Sequence, residues 1–183
     1  MIVLDIGGGS TELVCINNNT ILKTESIPLG VITLTERYLG HDPPTPNDIS
    51  ELRHAIGKTI LLHGLLEGMW KNHKLLLGTA GTITTLAALD LGMNEYNGDR
   101  INGHLLTKHT VEQLFEVLLK KNSSERGALP GLEPDRATVI LAGTALVLEI
   151  MKALRMETIQ VSDAGLLEGV LIQKISSSSV VIK

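Results

Sequence analysis

The 183-residue sequence predicts an α/β protein with a mixed five-stranded sheet and helices on both faces. Three observations lead to this prediction. Short runs of β-branched and aliphatic residues follow one another at the start of the chain, with turn residues between them. Further strand-like runs then alternate with helical patterns of three-to-four spacing. Hydrophobic residues make up 43% of the chain, which is enough for a packed core.

The chain begins with a predicted meander of three antiparallel strands. These strands cover residues 2–6, 12–16 and 20–28. Asn17-Asn18-Asn19 separates the last two, and asparagine tolerates the left-handed backbone of a tight hairpin turn. Neighbouring strands joined by such short turns pair antiparallel.

Two helices are predicted next. The first covers residues 32–39, and the second starts after a proline-rich loop. Thr45 suits its N-cap, Pro46 its first helical position and Asp48 its first turn. One apolar face of this second helix is formed by Ile49, Leu52, Ile56 and Ile60.

The middle of the chain contains a strand, a turn and a helix in succession. The strand at residues 74–77 runs into the glycine-containing turn 78–82, and a helix follows at 83–91. Residues 92–103 are polar and predict a loop. Thr110 has capping-box spacing to Gln113 and predicts the start of the next helix.

The last part of the chain predicts a buried helix, a strand and a final helix. After a loop at 122–132, Pro134 opens the most apolar helix, at about 135–154. The strand covers residues 158–161. Asp163 suits the N-cap of the final helix, 164–175, better than the role of a catalytic acid.

This order of elements is typical of a ribonuclease-H-like α/β architecture. We therefore predict one domain over residues 1–175, with residues 92–132 as a loop-helix insertion and 176–183 as a tail. In such a sheet, ligands gather at the carboxyl ends of the parallel strands.

The turn after the first strand contains the residues best suited to binding a ligand or to catalysis. Three consecutive glycines leave no Cβ, so the backbone can approach a ligand, and successive N–H groups can form an anion-binding concavity. Asp5 and Glu12 flank this loop with carboxylates, which suit Mg²⁺. A plain glycine-rich hairpin is the alternative, but it leaves the flanking acids and hydroxyls unexplained. The predicted phosphate contacts here are Gly7, Gly8, Gly9, Ser10 and Thr11.

Two further features each have two interpretations. The helix-entry turn could bind an anion or a nucleotide through Gly78, Thr79, Gly81 and Thr82. Its small residues equally suit close packing of the helix on the strand. Arg136 opposes the helix dipole in a predicted first turn, which fits either a bidentate phosphate contact or an ion pair with Glu133.

The composition excludes several classes of partner. The net charge of −4 and the aromatic content of 2% disfavour broad binding to nucleic acid or to acidic membranes. Cys15 is the single cysteine, so no internal disulfide is expected and a cytoplasmic location is predicted. The six histidines are scattered without metal-ligand spacing.

Four stretches together resemble a known family. Asp5-Ile-Gly-Gly-Gly-Ser-Thr-Glu-Leu13 is similar to the second phosphate motif of the exopolyphosphatase/guanosine-pentaphosphate phosphohydrolase (Ppx/GppA) family. Stretches at 78–87, 129–136 and 161–169 agree in the same order, so the resemblance runs from about residue 2 to residue 171. It implies the actin/Hsp70/sugar-kinase superfamily, in which two ribonuclease-H-like domains close around a phosphate cleft.

The resemblance also implies an activity. Such a protein would hydrolyse the terminal phosphate of inorganic polyphosphate or of guanosine pentaphosphate with Mg²⁺. Asp5 and Glu12 would be catalytic residues that place the metal ion or the attacking water, and Arg136 would join the phosphate contacts.

The resemblance further implies a partner domain. Family members begin with a domain that carries the first phosphate loop and a glutamate base. We expect that domain to be missing from this chain, and the chain by itself to be inactive. The alternative is a non-catalytic module of the same fold that binds an anion or forms a homodimer. The stretch from Asp5 to Leu13 disfavours a kinase of the same superfamily.

Overall fold

The computed structural model describes residues 1–71 and 73–165 and confirms the α/β class. The described residues form one mixed sheet in the order β3-β2-β1-β4-β6-β5. The strands are β1 Ile2–Ile6, β2 Thr11–Asn17, β3 Thr20–Ile27, β4 Leu76–Thr79, β5 Leu105–Thr107 and β6 Thr158–Val161. The helices are α1 Val31–Tyr38, α2 Pro46–Leu62, α3 Ala80–Asp90, α4 Gly98–Ile101, α5 Lys108–Leu119, α6 Ser123–Gly127 and α7 Ile140–Leu154.

The part of the chain that the structure describes contributes six strands to the sheet instead of the predicted five. The additional strand is β5, which pairs antiparallel with β6 at the edge of the sheet. With three residues, it is too short to show the alternation from which strands are recognised in a sequence. The predicted loop at 92–103 likewise contains the four-residue helix α4, and the loop at 122–132 contains α6.

The meander at the start of the chain is confirmed. β1 pairs antiparallel with β2, and β2 with β3. Asn18 and Asn19 adopt left-handed φ values of 47° and 60°, as their position in the hairpin turn predicts. On its other side, β1 pairs in parallel with β4, and β4 in parallel with β6. The carboxyl ends of β1 and β4 therefore lie side by side.

Alternating burial along the strands gives the sheet two different faces. In β1, Ile2, Leu4 and Ile6 are buried, whereas Val3 and Asp5 are half-buried. The buried face packs on a helical layer centred on α7, which contacts α1, α2, α3 and α5. The half-buried face carries Asp5, near the end of β1, and Glu12, near the start of β2.

Of the two helix starts predicted from a capping threonine, that of α2 is confirmed and that of α5 is wrong. Thr45 caps α2 and accepts a hydrogen bond from the Asp48 N–H, as expected. The cap of α5 is Thr107 instead of Thr110, because the Thr107 hydroxyl accepts from the Thr110 N–H.

The start of α7 differs from its prediction. It begins at Ile140, after a separate 3₁₀ turn over Pro134–Arg136. The Ala137 carbonyl oxygen there accepts a hydrogen bond from Nη1 of the buried Arg126, which anchors the turn.

The predicted helix 164–175 lies almost entirely outside the described residues. Among the helices that the structure describes, none has the length and apolar character needed to cross a bilayer.

Candidate active site

The glycine loop between β1 and β2 is held by the start of α1. The backbone N–H of Val31 donates to the Gly7 carbonyl oxygen at 3.0 Å, and that of Ile32 donates to the Gly8 carbonyl oxygen at 2.9 Å. Gly30 lies against the loop so closely that a Cβ there would overlap the backbone of Gly8 and Gly9. The loop is therefore fixed in shape before any ligand binds.

The N–H groups of this loop are free to meet a ligand. The Gly7 N–H donates to the Ser10 carbonyl oxygen at 2.9 Å. The N–H groups of Gly8, Gly9 and Ser10 have no hydrogen bond within the part of the chain that the structure describes. Gly9 is exposed and its two neighbours are half-buried. Three consecutive unengaged donors on a fixed loop form a concavity for an anion.

The two predicted catalytic carboxylates lie next to each other. Asp5 and Glu12 face each other in the antiparallel register of β1 and β2, so both side chains leave the sheet on the same face. Burial, and then the charge of Glu12, raise the pKa of Asp5 above its ordinary value. The pair thus carries a negative charge that no salt bridge within the described residues neutralises.

Two serine hydroxyls hold Glu12. Ser10 Oγ donates to Glu12 Oε1 at 2.5 Å, and Ser26 Oγ, from β3, donates to the same oxygen at 2.9 Å. Ser10 was predicted to contact phosphate through its hydroxyl, but this group is engaged by Glu12 in the structure, which leaves the Ser10 N–H for the anion.

Thr11 must be removed from the predicted phosphate contacts. Its side chain is completely buried, and its hydroxyl donates to the Leu29 carbonyl oxygen at 2.6 Å. This bond ties the start of β2 to the segment that leads into α1. Thr11 therefore anchors the end of the glycine loop, and its side chain lies in the core instead of facing a ligand.

Replacing Glu12 by glutamine is expected to lower the pKa of Asp5 toward its ordinary value, because one of its two causes is removed. A raised pKa means that Asp5 stabilises the fold below an unfolded-state pKa of about 4, and that this contribution is lost as pH rises through the folded value. Titration of the Asp5 carboxyl carbon by NMR measures the shift. The exposed Glu36→Gln is the matched control, and an unchanged or higher pKa in Glu12→Gln would contradict the prediction.

The second predicted turn shows the close packing that was one of its two interpretations. A Cβ on Gly78 would lie 2.6 Å from Ile83 Cδ1, and Thr82 is 5% exposed, so these two residues serve close packing of α3 on the sheet. The Thr82 side chain is therefore part of this packing, and anion binding by the N–H groups of the turn stays a prediction. Thr79 is half-buried, and its hydroxyl donates to the Ala164 carbonyl oxygen at 3.0 Å. Ala80 has a left-handed φ of 66°, a strained state that concentrates at ligand sites.

Arg136 lies directly at this turn. A side chain on Gly81 would overlap its guanidinium, so the guanidinium rests against the Gly81 backbone at the start of α3. Arg136 Nε donates to Glu133 Oε2 at 2.9 Å. The ion pair with Glu133 is thus present, and the phosphate contact of Arg136 stays a prediction.

A cleft of about 350 Å³ opens beside Glu133, the ion-pair partner of Arg136. Its walls include Tyr96, Gly131 and Glu133. The Tyr96 hydroxyl donates to Asp163 Oδ1, and partial burial together with this bond raises the pKa of Tyr96 to about 12. Tyr96 therefore stays protonated at neutral pH and remains a hydrogen-bond donor. Asp163, predicted to be an N-cap, is the acceptor of this bond.

A divalent cation fits the Asp5–Glu12 pair. Within the described residues, no group of three or more His, Cys, Asp or Glu side chains could hold a metal ion by itself. Mg²⁺, however, is commonly held by one or two carboxylates, with waters and substrate phosphates completing its shell. The uncompensated charge of the pair agrees with that mode.

Sequence reasoning missed Gly30 and Ser26 as parts of the site. Gly30 has an extended backbone that any residue can adopt, so the neighbouring sequence does not show that a glycine is required there. The requirement comes from the glycine loop, which lies too close for a Cβ at this position. The position of Ser26 opposite Glu12 could be identified only from the register of β2 and β3.

Comparisons with known proteins agree with the sequence motifs. A family model for the Ppx/GppA phosphatase family matches residues 1–178. The chain is 31% identical over 180 residues to exopolyphosphatase 2 of Mycobacterium tuberculosis, covering 92% of this chain and 54% of that protein. It is 30% identical over 182 residues to exopolyphosphatase 1 of Mycobacterium leprae, covering 98% of this chain and 52% of that protein. The chain thus spans about half the length of these relatives.

The fold also matches a solved structure. The crystal structure of the Aquifex aeolicus member of the Ppx/GppA protein family superposes with a TM-score of 0.88 at 32% identity. The match covers 97% of this chain and 56% of that protein.

Proposed function

Because the chain belongs to the Ppx/GppA phosphatase family, we propose that it forms one wall of the phosphate cleft of a phosphohydrolase. The intact enzyme would release the terminal phosphate of inorganic polyphosphate or of guanosine pentaphosphate. One observation carries the proposal: a fixed loop with three unengaged N–H groups lies beside a pair of facing carboxylates. The names of the exopolyphosphatase relatives support polyphosphate as a substrate.

The proposed reaction is attack of water on the terminal phosphorus. A bond forms between the water oxygen and phosphorus, the bond to the bridging oxygen breaks, and the shortened chain leaves with that oxygen. The N–H groups of Gly8, Gly9 and Ser10 would hold the oxygens of the reacting phosphate, whose charge develops in the transition state. The water's proton would pass to a glutamate base that the family resemblance assigns to the preceding domain.

The carboxylates of Asp5 and Glu12 would orient the attacking water and hold Mg²⁺. When bound, this ion would neutralise phosphate charge. The raised pKa of Asp5 means that its ionised form is destabilised in the absence of a cation. A bound cation would favour the ionised form, which agrees with a role in holding Mg²⁺.

Arg136 and the cleft beside Tyr96 would receive the part of the substrate beyond the reacting phosphate. A guanidinium at the start of α3 suits a phosphate oxygen, with Glu133 as its partner when no substrate is bound. The flat ring of Tyr96 would accommodate a nucleoside base. A polyphosphate chain without a nucleoside would need only the contact with the Arg136 guanidinium.

Calorimetric titration of the 183-residue chain tests binding, and phosphate release by the full-length protein tests activity. We expect tripolyphosphate to bind the chain more tightly with Mg²⁺ than without it. Strong Mg²⁺-dependent phosphate release by the full-length protein, and little or none by the chain alone, is the expected pair of results. Lack of phosphate release by the full-length protein from both substrates would overturn the proposal.

A non-catalytic module of the same fold is the second candidate. The C-terminal end of α2 and the segment after it expose Leu61, Leu62, Leu66 and Met69, apolar side chains that suit a partner surface. A tight dimer that binds neither polyphosphate nor guanine nucleotides would favour this candidate.

A further inference from the structure

A row of polar side chains crosses four strands at the end of the sheet that carries the glycine loop. Ser26 of β3 is in register with Glu12 of β2, Glu12 with Asp5 of β1, and Asp5 with Thr79 of β4. Residues paired in this way leave the sheet on the same face. The proposed function uses Asp5 and Glu12 of this row but neither Ser26 nor Thr79.

The geometry points to Ser26 as a positioning residue for Glu12, an inference that rests on the proposed function. Its hydroxyl donates to Glu12 Oε1 at 2.9 Å, whereas no described residue donates a hydrogen bond to Oε2. The carboxylate is thus fastened by one oxygen, and the other stays available for a cation or a water. A carboxylate on a flexible two-carbon stem gains a defined orientation from such a bond.

Ser26 supplies what Ser10 alone cannot. Ser10 donates to the same oxygen at 2.5 Å, but it belongs to the loop that would hold the phosphate. If its hydroxyl turns to a bound phosphate oxygen, Glu12 loses that donor at the moment of reaction. Ser26 lies on a strand outside the loop, so its bond to Glu12 persists whichever partner Ser10 takes.

A β-bulge brings Ser26 to this place. The pairing of β2 with β3 shifts between Cys15 and Ile16, so that Leu22 of β3 has no partner on β2. Without this extra residue, Glu25 would lie opposite Glu12 and place a like charge beside it. Bulges near functional sites commonly redirect a side chain in this manner. The bulge here exchanges a repelling carboxylate for a donating hydroxyl.

Ser26→Ala tests the inference. Because Ser26 is exposed, we expect this variant to fold as the wild type does. NMR three-bond couplings of Glu12 report its rotamer, and they are measured in the 183-residue chain with tripolyphosphate bound, so that Ser10 can turn to the phosphate. We expect one rotamer in the wild type and averaging among several in Ser26→Ala. Affinity for Mg²⁺, titrated by calorimetry, should fall about 10-fold. Ser26→Thr, which keeps the hydroxyl, should restore both. Thr24→Ala, exposed on the same face of the same strand, is the matched control and should change neither.

The full-length protein separates this inference from the proposed function. Ser26→Ala should lower kcat for phosphate release about 10-fold or more and leave KM for the phosphate substrate unchanged, because Ser26 does not touch the glycine loop. An active wild type with unchanged kcat in Ser26→Ala, or unchanged couplings and Mg²⁺ affinity in the chain, would overturn the role of Ser26 alone. An inactive wild type would instead overturn the proposed function.

Discussion

Replacing Asp5 by asparagine is expected to lower kcat for phosphate release by the full-length protein about 10³-fold. The amide keeps the shape of the side chain but loses the charge that would hold the cation and orient the water. The N–H groups of the loop remain in place, so KM for the phosphate substrate should change little. Kinetics at saturating Mg²⁺ measure both constants, and near-wild-type turnover would remove Asp5 from the mechanism.

The same substitution is expected to stabilise the protein. Burial and Glu12 raise the pKa of Asp5, which means that folding disfavours its ionised form. At neutral pH the wild type carries this destabilised carboxylate, whereas asparagine is neutral at every pH. The free energy of unfolding of Asp5→Asn should therefore exceed that of the wild type above the folded-state pKa, and the difference should vanish in acid.

Opposite signs of the two effects distinguish a functional residue from a structural one. A carboxylate that held the fold together would lower both activity and stability when removed. Urea unfolding of the chain at neutral and acidic pH measures the difference. Glu36→Gln, on the exposed face of α1, is the control for loss of a surface charge. Lower stability of Asp5→Asn at neutral pH would show that the charge supports the fold.

Local patterns sufficed for much of the fold. The asparagine turn, the Thr45 cap and the strand at 158–161 are defined by residues adjacent in sequence, and the structure confirms each. The elements that were missed or misplaced depend on distant partners. β5 exists because its three residues pair with β6, and the 3₁₀ turn before α7 is anchored by Arg126.

The candidate site divides in the same way. The pairing of Asp5 with Glu12 follows from a short connection between two strands, so the sequence predicts it correctly. The contact of Ser26 with Glu12 could not be predicted from the sequence. Regular pairing of β2 and β3 from the hairpin turn places Glu25 opposite Glu12, and the bulge shifts the register by one residue so that Ser26 lies there instead. Thr11 was assigned wrongly because the alternation of burial along β2 turns it into the core.

Replacing Gly30 by alanine is the substitution with the largest expected effect on the free energy of unfolding. The backbone of Gly30 has φ −127° and ψ 157°, a region open to any residue, so conformational preference alone would permit alanine. The obstacle is steric: the new Cβ would overlap the Gly8 carbonyl group and the Gly9 nitrogen. These are backbone atoms, which cannot rotate away as a flexible side chain could.

Relief of that overlap requires the glycine loop and the start of α1 to separate. The bonds from the N–H groups of Val31 and Ile32 to the loop carbonyls would be stretched together. We expect a loss of about 3 kcal/mol in the free energy of unfolding, at the upper end of ordinary overpacking. Affinity of the folded fraction for tripolyphosphate should also fall, because the three N–H groups would no longer share one fixed geometry.

Gly40→Ala is the matched control for this prediction. Gly40 follows α1 and a Cβ there would meet no atom within 4 Å, so the same chemical change should leave stability within about 0.5 kcal/mol of the wild type or raise it slightly. Urea denaturation of the three proteins, followed by tripolyphosphate titration below the unfolding transition, measures both quantities. Wild-type stability in Gly30→Ala would mean that the loop can move away from α1 without cost, and the loop could then no longer be regarded as fixed in shape before a phosphate binds.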